Sequence, residues 1–445
     1  MTRLFALLLI ALVAPASAAP AIPFPVHERV LDNGLQVVVV PFDSPGVVAF
    51  HTVVRTGSRD EVEPGHSGFA HFFEHMMFRG TPRFSTEAYN DALKRMGADS
   101  NAYTTDDYTN YFIVAPSRHL EAMMDLESDR FRNLRYDEEV FKTEALAVLG
   151  EYNKNASNPM RAMHERLREL AFTRHTYRHT TMGFLADIKA MPGYFEYSLG
   201  FFRRFYRPEN AALLIVGDVT PDAAFALAER FWAPWERGYE APAVTPEPPA
   251  EAGARDHLEW PLPTRPYLLE GYRAPAFTTE SADTAALGII DQLLFSPSAP
   301  LYQELVVDKQ WVDWISGSPP TRRDPSLFMI SAQARKDELV PEVQKAVLRH
   351  IEALKAAPVD ADRLERTRSH LRYALARRLD SPADVAMIVS DSIGRTGSAH
   401  AVNALYDRYA EVTPEDIQRV AREVFTAKNR TAVTLATRPT PGATP

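Results

Sequence analysis

Two histidines and a glutamate stand together in His71-Phe72-Phe73-Glu74-His75. On a helix, positions four apart stack on one face, so both imidazoles can converge on a single ion. Zinc accepts imidazole nitrogen at about 2.0–2.1 Å, and a catalytic zinc site keeps one position open for water. Glu74 lies close enough to take a proton from that water, in the reverse order of the more familiar zinc-peptidase helix motif. The competing reading is an amphipathic helix whose polar stripe happens to be His and Glu. Phe69, Phe72, Phe73, Met76 and Phe78 surround the stripe with apolar bulk, which suits the base of a cleft better than a solvated face.

A zinc hydrolase needs a third protein ligand. Glu144 and Glu151 are two helical turns apart and share a face. One can bind the metal while the other braces a ligand. Spacing alone does not say which, and a solvated acidic stripe has the same pattern.

Several elements must position these groups. Asn33-Gly34 between apolar runs predicts a tight turn, with a strand over Gln36–Val40 and another over Val47–Val54. Helices are predicted over Gly68–Phe78, Thr86–Met96, His119–Asn133 and from about Glu138 into the 160s, with strands at Tyr108–Val114 and Ala212–Val216. No Gly-rich nucleotide loop accompanies this alternation, so the expected class is α+β. Four prolines between Glu236 and Glu251 mark a linker.

The halves on either side are weakly self-similar. Tyr206-x-x-x-Asn210 leads into an apolar run at Ala211–Val216, and Phe425-x-x-x-Asn429 leads into another at Thr431–Leu435. Setting Met76-Met77-Phe78 against Leu293-Leu294-Phe295 places Gly288, Asp291 and Gln292 opposite His71, Glu74 and His75. A duplicated domain is expected, its second copy unable to bind metal in the same way.

The whole pattern resembles the pitrilysin (M16) metallopeptidase family, in its short-subunit branch related to the mitochondrial processing peptidase. The resemblance rests on Leu31-Asp32-Asn33-Gly34-Leu35, Gly57-Ser58-Arg59-Asp60-Glu61, Gly68 through Thr81, Asn101 through Thr109, and Tyr206-Arg207-Pro208-Glu209-Asn210. It implies one Zn2+ per chain held by His71, His75 and Glu151, with Glu74 as general base and Glu144 as the auxiliary glutamate. It also implies that an extended peptide lies along a sheet edge supplied in part by Asn101, Ala102, Tyr103 and Thr104. The implied fold is two homologous domains, 25–235 and 256–438, each a mostly antiparallel sheet flanked by helices and joined by a Pro-rich linker at 236–255.

Relatives of this kind use an Arg and a Tyr from the second half to bind substrate and steady the oxyanion. Here Val306 takes the Arg slot and Asp313 the Tyr slot, and no arginine occurs between Leu301 and Thr321. A homologous second subunit carrying that pair, and lacking His-x-x-Glu-His, is therefore the expected partner. A self-sufficient homodimer and a non-catalytic structural subunit are the alternatives. The Gly-rich segment that many relatives carry before this helix is replaced by Phe295-Ser296-Pro297-Ser298-Ala299-Pro300. His175 and His179 are expected on a surface or loop. Arg363, Arg366, Arg368, Arg372, Arg377 and Arg378 are expected on a solvated or subunit-contacting helix face.

Arg3, an apolar run from Leu4 to Val13 and the small residues to Ala19 form a signal-peptide pattern over residues 1–19. Export is expected, to the periplasm if the source is Gram-negative, with no membrane span left after cleavage. The net charge of −9 speaks against a nucleic-acid partner. The absence of cysteine removes disulfides and thiolate metal sites.

Overall fold

The computed structural model describes residues 20–438, so the expected signal peptide lies outside the described residues. Strands β1 (His27–Val30), β2 (Gln36–Pro41), β3 (Val47–Val54), β4 (Asp99–Thr104), β5 (Thr109–Pro116) and β6 (Ala211–Gly217) form one sheet in the order β1-β2-β6-β3-β5-β4. The Asn33-Gly34 turn joins β1 to β2 as expected. Gly34 takes φ 91°, and the Asn33 amide donates to the carbonyls of Trp232 and Trp235. The four valines of β2 are all buried, two on each face. A strand covered on both faces reads as a continuous apolar run rather than an alternation.

The second sheet is built from β7 (Ala254–Trp260), β8 (Tyr267–Ala274), β9 (Val312–Ser318), β10 (Ser326–Ala334) and β11 (Arg430–Thr437), in the order β7-β11-β8-β10-β9. This is the order β2-β6-β3-β5-β4 repeated. The one parallel pair of the first sheet, β2 with β6, has its counterpart in β7 with β11, and every other neighbour is antiparallel. The fold is α+β with a duplicated unit, as the weak self-similarity predicts.

Helices α1 (Phe69–Met76), α2 (Thr86–Met96), α3 (Leu120–Asn133) and α4 (Glu138–Asn155) follow the predicted segments, but the last is shorter than expected. A separate helix, α5 (Pro159–Ala171), starts afresh because Pro159 cannot continue the ladder and Asn158 caps the amide of Met160 at 3.0 Å. The break matters for packing. It turns α5 away from its own sheet and onto β8 and β11 of the second half. The helix Pro382–Thr396 does the converse, covering β3 and β6 of the first half. Each half thus lends a helix to the other's sheet.

Buried charges bolt the halves together. The Asp106 carboxylate accepts from both ends of the Arg168 guanidinium at 2.8 and 2.9 Å, from Arg322, and from the Ser58 hydroxyl at 3.0 Å. One expectation is corrected here. His175 and His179 lie in a loop region but are buried. His175 Nε2 meets Asp324 at 2.9 Å while its Nδ1 accepts from the Tyr177 amide. The linker segment is tethered as well: Glu247 accepts the amides of Thr173, Arg174 and His175 at 2.8 Å each. Its regular structure resumes at Ala254, within the stretch read as linker.

Candidate metal centre

The first turn of α1 is shaped by glycine and a buried acid. Gly68 precedes the helix at φ 94°, and a Cβ there would lie 2.4 Å from Ile188 Cδ1. With no side chain available to cap the turn, Glu61 does so instead, accepting the amides of Gly68 and Ala70 at 2.7 Å each. Sequence reasoning gave Glu61 no role of its own. Its position in Gly57-Ser58-Arg59-Asp60-Glu61, just before the helix, was the available signal.

So anchored, α1 presents His71 and His75 one turn apart, with ring centroids 4.8 Å apart and planes at 75°. α4 brings Glu151 opposite them. Glu151 Oε2 lies 3.7 Å from His71 Nε2 and 3.5 Å from His75 Nε2. A tetrahedral ion with ligands at zinc distances would separate its donor atoms by about 3.3 Å. Each histidine nitrogen is thus within a few tenths of an ångström of that spacing from Glu151, and all three donor atoms lie within 4.8 Å of one another. Among the described residues it is the one group of His, Asp or Glu side chains with donor atoms so close together.

The protonation states suit that role. Burial, followed by the charges of His75 and Arg161, lowers His71 to about 3, so its imidazole is neutral and keeps a lone pair. His75 Nδ1 faces Glu144 Oε1 at 2.9 Å, and this hydrogen bond, ahead of burial, raises its pKa. The proton is thereby held on Nδ1, and Nε2 is turned to Glu151. Burial alone would raise Glu144, but His75 and Arg79 outweigh it and hold the carboxyl below its usual value. Glu144 thus sits behind His75, bridging it to Arg79, a residue that sequence reasoning did not single out.

Glu74 emerges beside the trio without joining it. Its Oε2 accepts the Thr104 hydroxyl at 2.6 Å, and burial raises its pKa despite that bond. Thr104 ends β4, which pairs with β5 and forms one of the two edges of the first sheet. The candidate substrate residues divide between the two faces of this edge. Ala102 is buried in the core shared with α1, and Thr104 meets Glu74. Tyr103 packs on the opposite face, its hydroxyl 3.3 Å from that of Tyr108, and Asn101 is exposed. The backbone of Asn101–Thr104 is thus brought to the edge beside Glu74, while the Tyr103 ring is not.

Val306 and Asp313 occupy the slots expected for the Arg/Tyr pair. Val306 packs against the second core, and Asp313 is engaged by Arg265 and Arg335.

Residues 38–184 match the family described as Insulinase (Peptidase family M16), and residues 196–371 match the Peptidase M16 inactive domain. The chain belongs to peptidase family M16. Among relatives, the zinc protease PqqE of Helicobacter pylori is 29% identical, over 92% of this chain and 93% of its own length. The probable mitochondrial-processing peptidase subunit beta of Arabidopsis thaliana is 22% identical, over 90% of this chain and 76% of its own. A solved structure of a protease from Helicobacter pylori superposes with TM-score 0.86 at 26% identity, covering 94% of this chain and all of that one. The N-terminal M16 match contains His71, Glu74, His75, Glu144 and Glu151, whereas the C-terminal match contains none of them.

If zinc occupies the M16 centre, Glu144→Gln is expected to weaken its binding about 10–100-fold, because His75 loses its ionised acceptor. Competition against a chromophoric chelator measures this. Unchanged affinity would mean that Glu144 does not orient His75.

Proposed function

We propose that this M16 chain is the zinc-bearing subunit of a metalloendopeptidase that hydrolyses internal bonds of extended or unfolded peptides. The observation that carries the reading is the convergence of His71, His75 and Glu151 beside a base, Glu74, that is hydrogen-bonded to an open sheet edge. Zinc, when bound, supplies Lewis acidity, lowering the pKa of water and polarising the scissile carbonyl. Glu74 takes the proton of the attacking water and delivers it to the leaving amine. Its raised pKa brings it nearer to the range where one carboxyl can both accept and release a proton. The edge of β4 holds the peptide as an added strand beside Thr104 and hence beside Glu74, the Ala102 amide exchanging its 2.9 Å bond to the Asn101 side chain for the substrate. Glu144 keeps the His75 ring in register.

Oxyanion stabilisation is missing from this inventory, since Val306 and Asp313 stand in the expected Arg and Tyr slots. We assign it to a homologous second subunit with an Arg/Tyr pair and no His-x-x-Glu-His. The signal-peptide pattern of residues 1–19 makes the proposed site of action extracytoplasmic. Among the described residues no helix is long and apolar enough to cross a membrane.

The test is hydrolysis of a quenched fluorescent peptide library by the mature, zinc-loaded chain, alone and with a candidate subunit of that description. The account expects little turnover alone and a rise of about 10²–10³-fold on adding the partner, the scale of a lost oxyanion donor. Full activity from the chain alone would instead identify a self-sufficient enzyme. Silence in both arms from a folded, zinc-loaded chain would favour a structural subunit.

A further inference from the structure

The duplication makes it possible to ask what became of the metal pocket in the second half. In the first half that pocket lies between α1 and α4. Its counterparts, the helices Ala282–Phe295 and Ala361–Ala376, also pack together. The caps of the second helix of each pair set the register: Asp137 caps α4 and Asp360 caps Ala361–Ala376. Glu144 then corresponds to Thr367 and Glu151 to Ala374, while His75 corresponds to Gln292 and Arg79 to Ser296. The place of His71 falls to Gly288, where the Tyr409 hydroxyl sits 2.5 Å from the position a Cβ would take. Every acidic or imidazole ligand has gone, and a tyrosine fills part of the space.

A cavity of about 490 Å³ remains between these helices and the Ser296–Pro300 loop, and Gln292, Ser296 and Thr367 all line it. Its charge is reversed. Arg363, Arg366 and His370 enter from Ala361–Ala376, and no carboxylate lines it. Of the neighbouring acids, Asp360 caps the Arg363 amide and Glu365 pairs with Arg368 at 3.2 Å, while Asp291 lies against β9 at Gly317 and accepts from Gln292 at 3.0 Å. Arg363 spends one amino group on the Leu293 carbonyl at 2.7 Å. Burial, then the like charge of Arg366, lowers its pKa, and the charge of Asp360 offsets this only in part. Ser296 and Ser298 share one hydrogen bond at 3.3 Å, which leaves one hydroxyl hydrogen to donate. The loop carrying them is pinned by Gln303 on the Pro297 carbonyl at 2.6 Å.

We propose that this cavity, the second-half counterpart of the metal pocket, is an oxyanion-binding site in which Arg363, Arg366 and His370 receive a phosphate or carboxylate group. Planar guanidinium forks match either group, and a half-buried Arg363 beside an exposed Arg366 offers an anion two like charges at once. The inference stands independently of the peptidase reading, because it concerns binding in the other half of the molecule.

Isothermal titration calorimetry of the mature chain tests it with inorganic phosphate in one arm and a short neutral peptide in another. The peptide is supplied with a free C-terminal carboxylate and, separately, as its amide. The expected result is one site per chain for phosphate or for the free-carboxylate peptide, with no binding of the amide. Arg366→Gln should weaken binding by about tenfold or more, the scale of one charge-assisted contact. Its melting temperature should not move, since Arg366 is exposed. Repetition in His71→Ala, with the metal centre disabled, should leave binding intact. Phosphate binding alone assigns a phosphate ligand, and peptide binding assigns a chain terminus or acidic side chain. Binding of neither probe, equal binding by Arg366→Gln, or loss of binding in His71→Ala would overturn the proposal.

Discussion

Replacing Glu74 by glutamine is expected to remove peptide hydrolysis while leaving the zinc in place. The substituted side chain would have the same shape, and its carbonyl oxygen could still accept the Thr104 hydroxyl, so edge strand and helix should keep their positions. It could not accept the proton of water. General-base removal of this kind costs about 10²–10⁴-fold in rate, and the loss should fall on kcat with KM little changed. Zinc content should match wild type, because Glu74 is not among the converging donors. Retention of more than about a tenth of wild-type kcat by Glu74→Gln would contradict the role given to it.

The second large effect concerns stability. Asp106→Asn should cost about 3–5 kcal/mol, the range found when one member of a buried ion pair is removed. Burial by itself would raise Asp106, but Arg168 and Arg322 outweigh it and hold the carboxyl far below its usual value. Asparagine would leave two largely buried guanidiniums facing a neutral amide. Arg168, on α5, shares the first half with Asp106, whereas Arg322 precedes β10, so part of the lost attraction lies across the contact between halves. Denaturant melts of wild type and variant measure the difference. A change below about 1 kcal/mol would show that the pair is solvated and contributes as little as surface ion pairs do.

How far these sites could be read in advance depended on the range of the interactions involved. Helix α2 and strand β3 were predicted to the residue, because the caps at Ser85 and Gly97 and a largely apolar, β-branched run are local signals. The metal trio was legible in part. His71 and His75 are fixed by one helical turn, whereas the choice of Glu151 over Glu144 needed the family resemblance, since both lie on one face of α4. The split between α4 and α5 was signalled by Asn158-Pro159 and overlooked, because the helical pattern resumes at once beyond it. His175 was misread for a different reason. Its burial comes from Asp324, far along the chain, and nothing in its own neighbourhood reports that contact. The same holds for Glu247 and the amides it holds at Thr173–His175. The parallel pairing of β7 with β11 joins the two ends of the second half, and only the repeat of the first half's order makes it intelligible.

The most direct test of the central claim is anomalous diffraction at the zinc edge from crystals of the zinc-loaded chain. The account predicts a single peak per chain at about 2.0–2.2 Å from His71 Nε2, His75 Nε2 and a Glu151 carboxylate oxygen, with Glu144 bonded to His75 and not to the ion. A peak ligated by other residues, or no peak from protein that has been saturated with zinc, would contradict it.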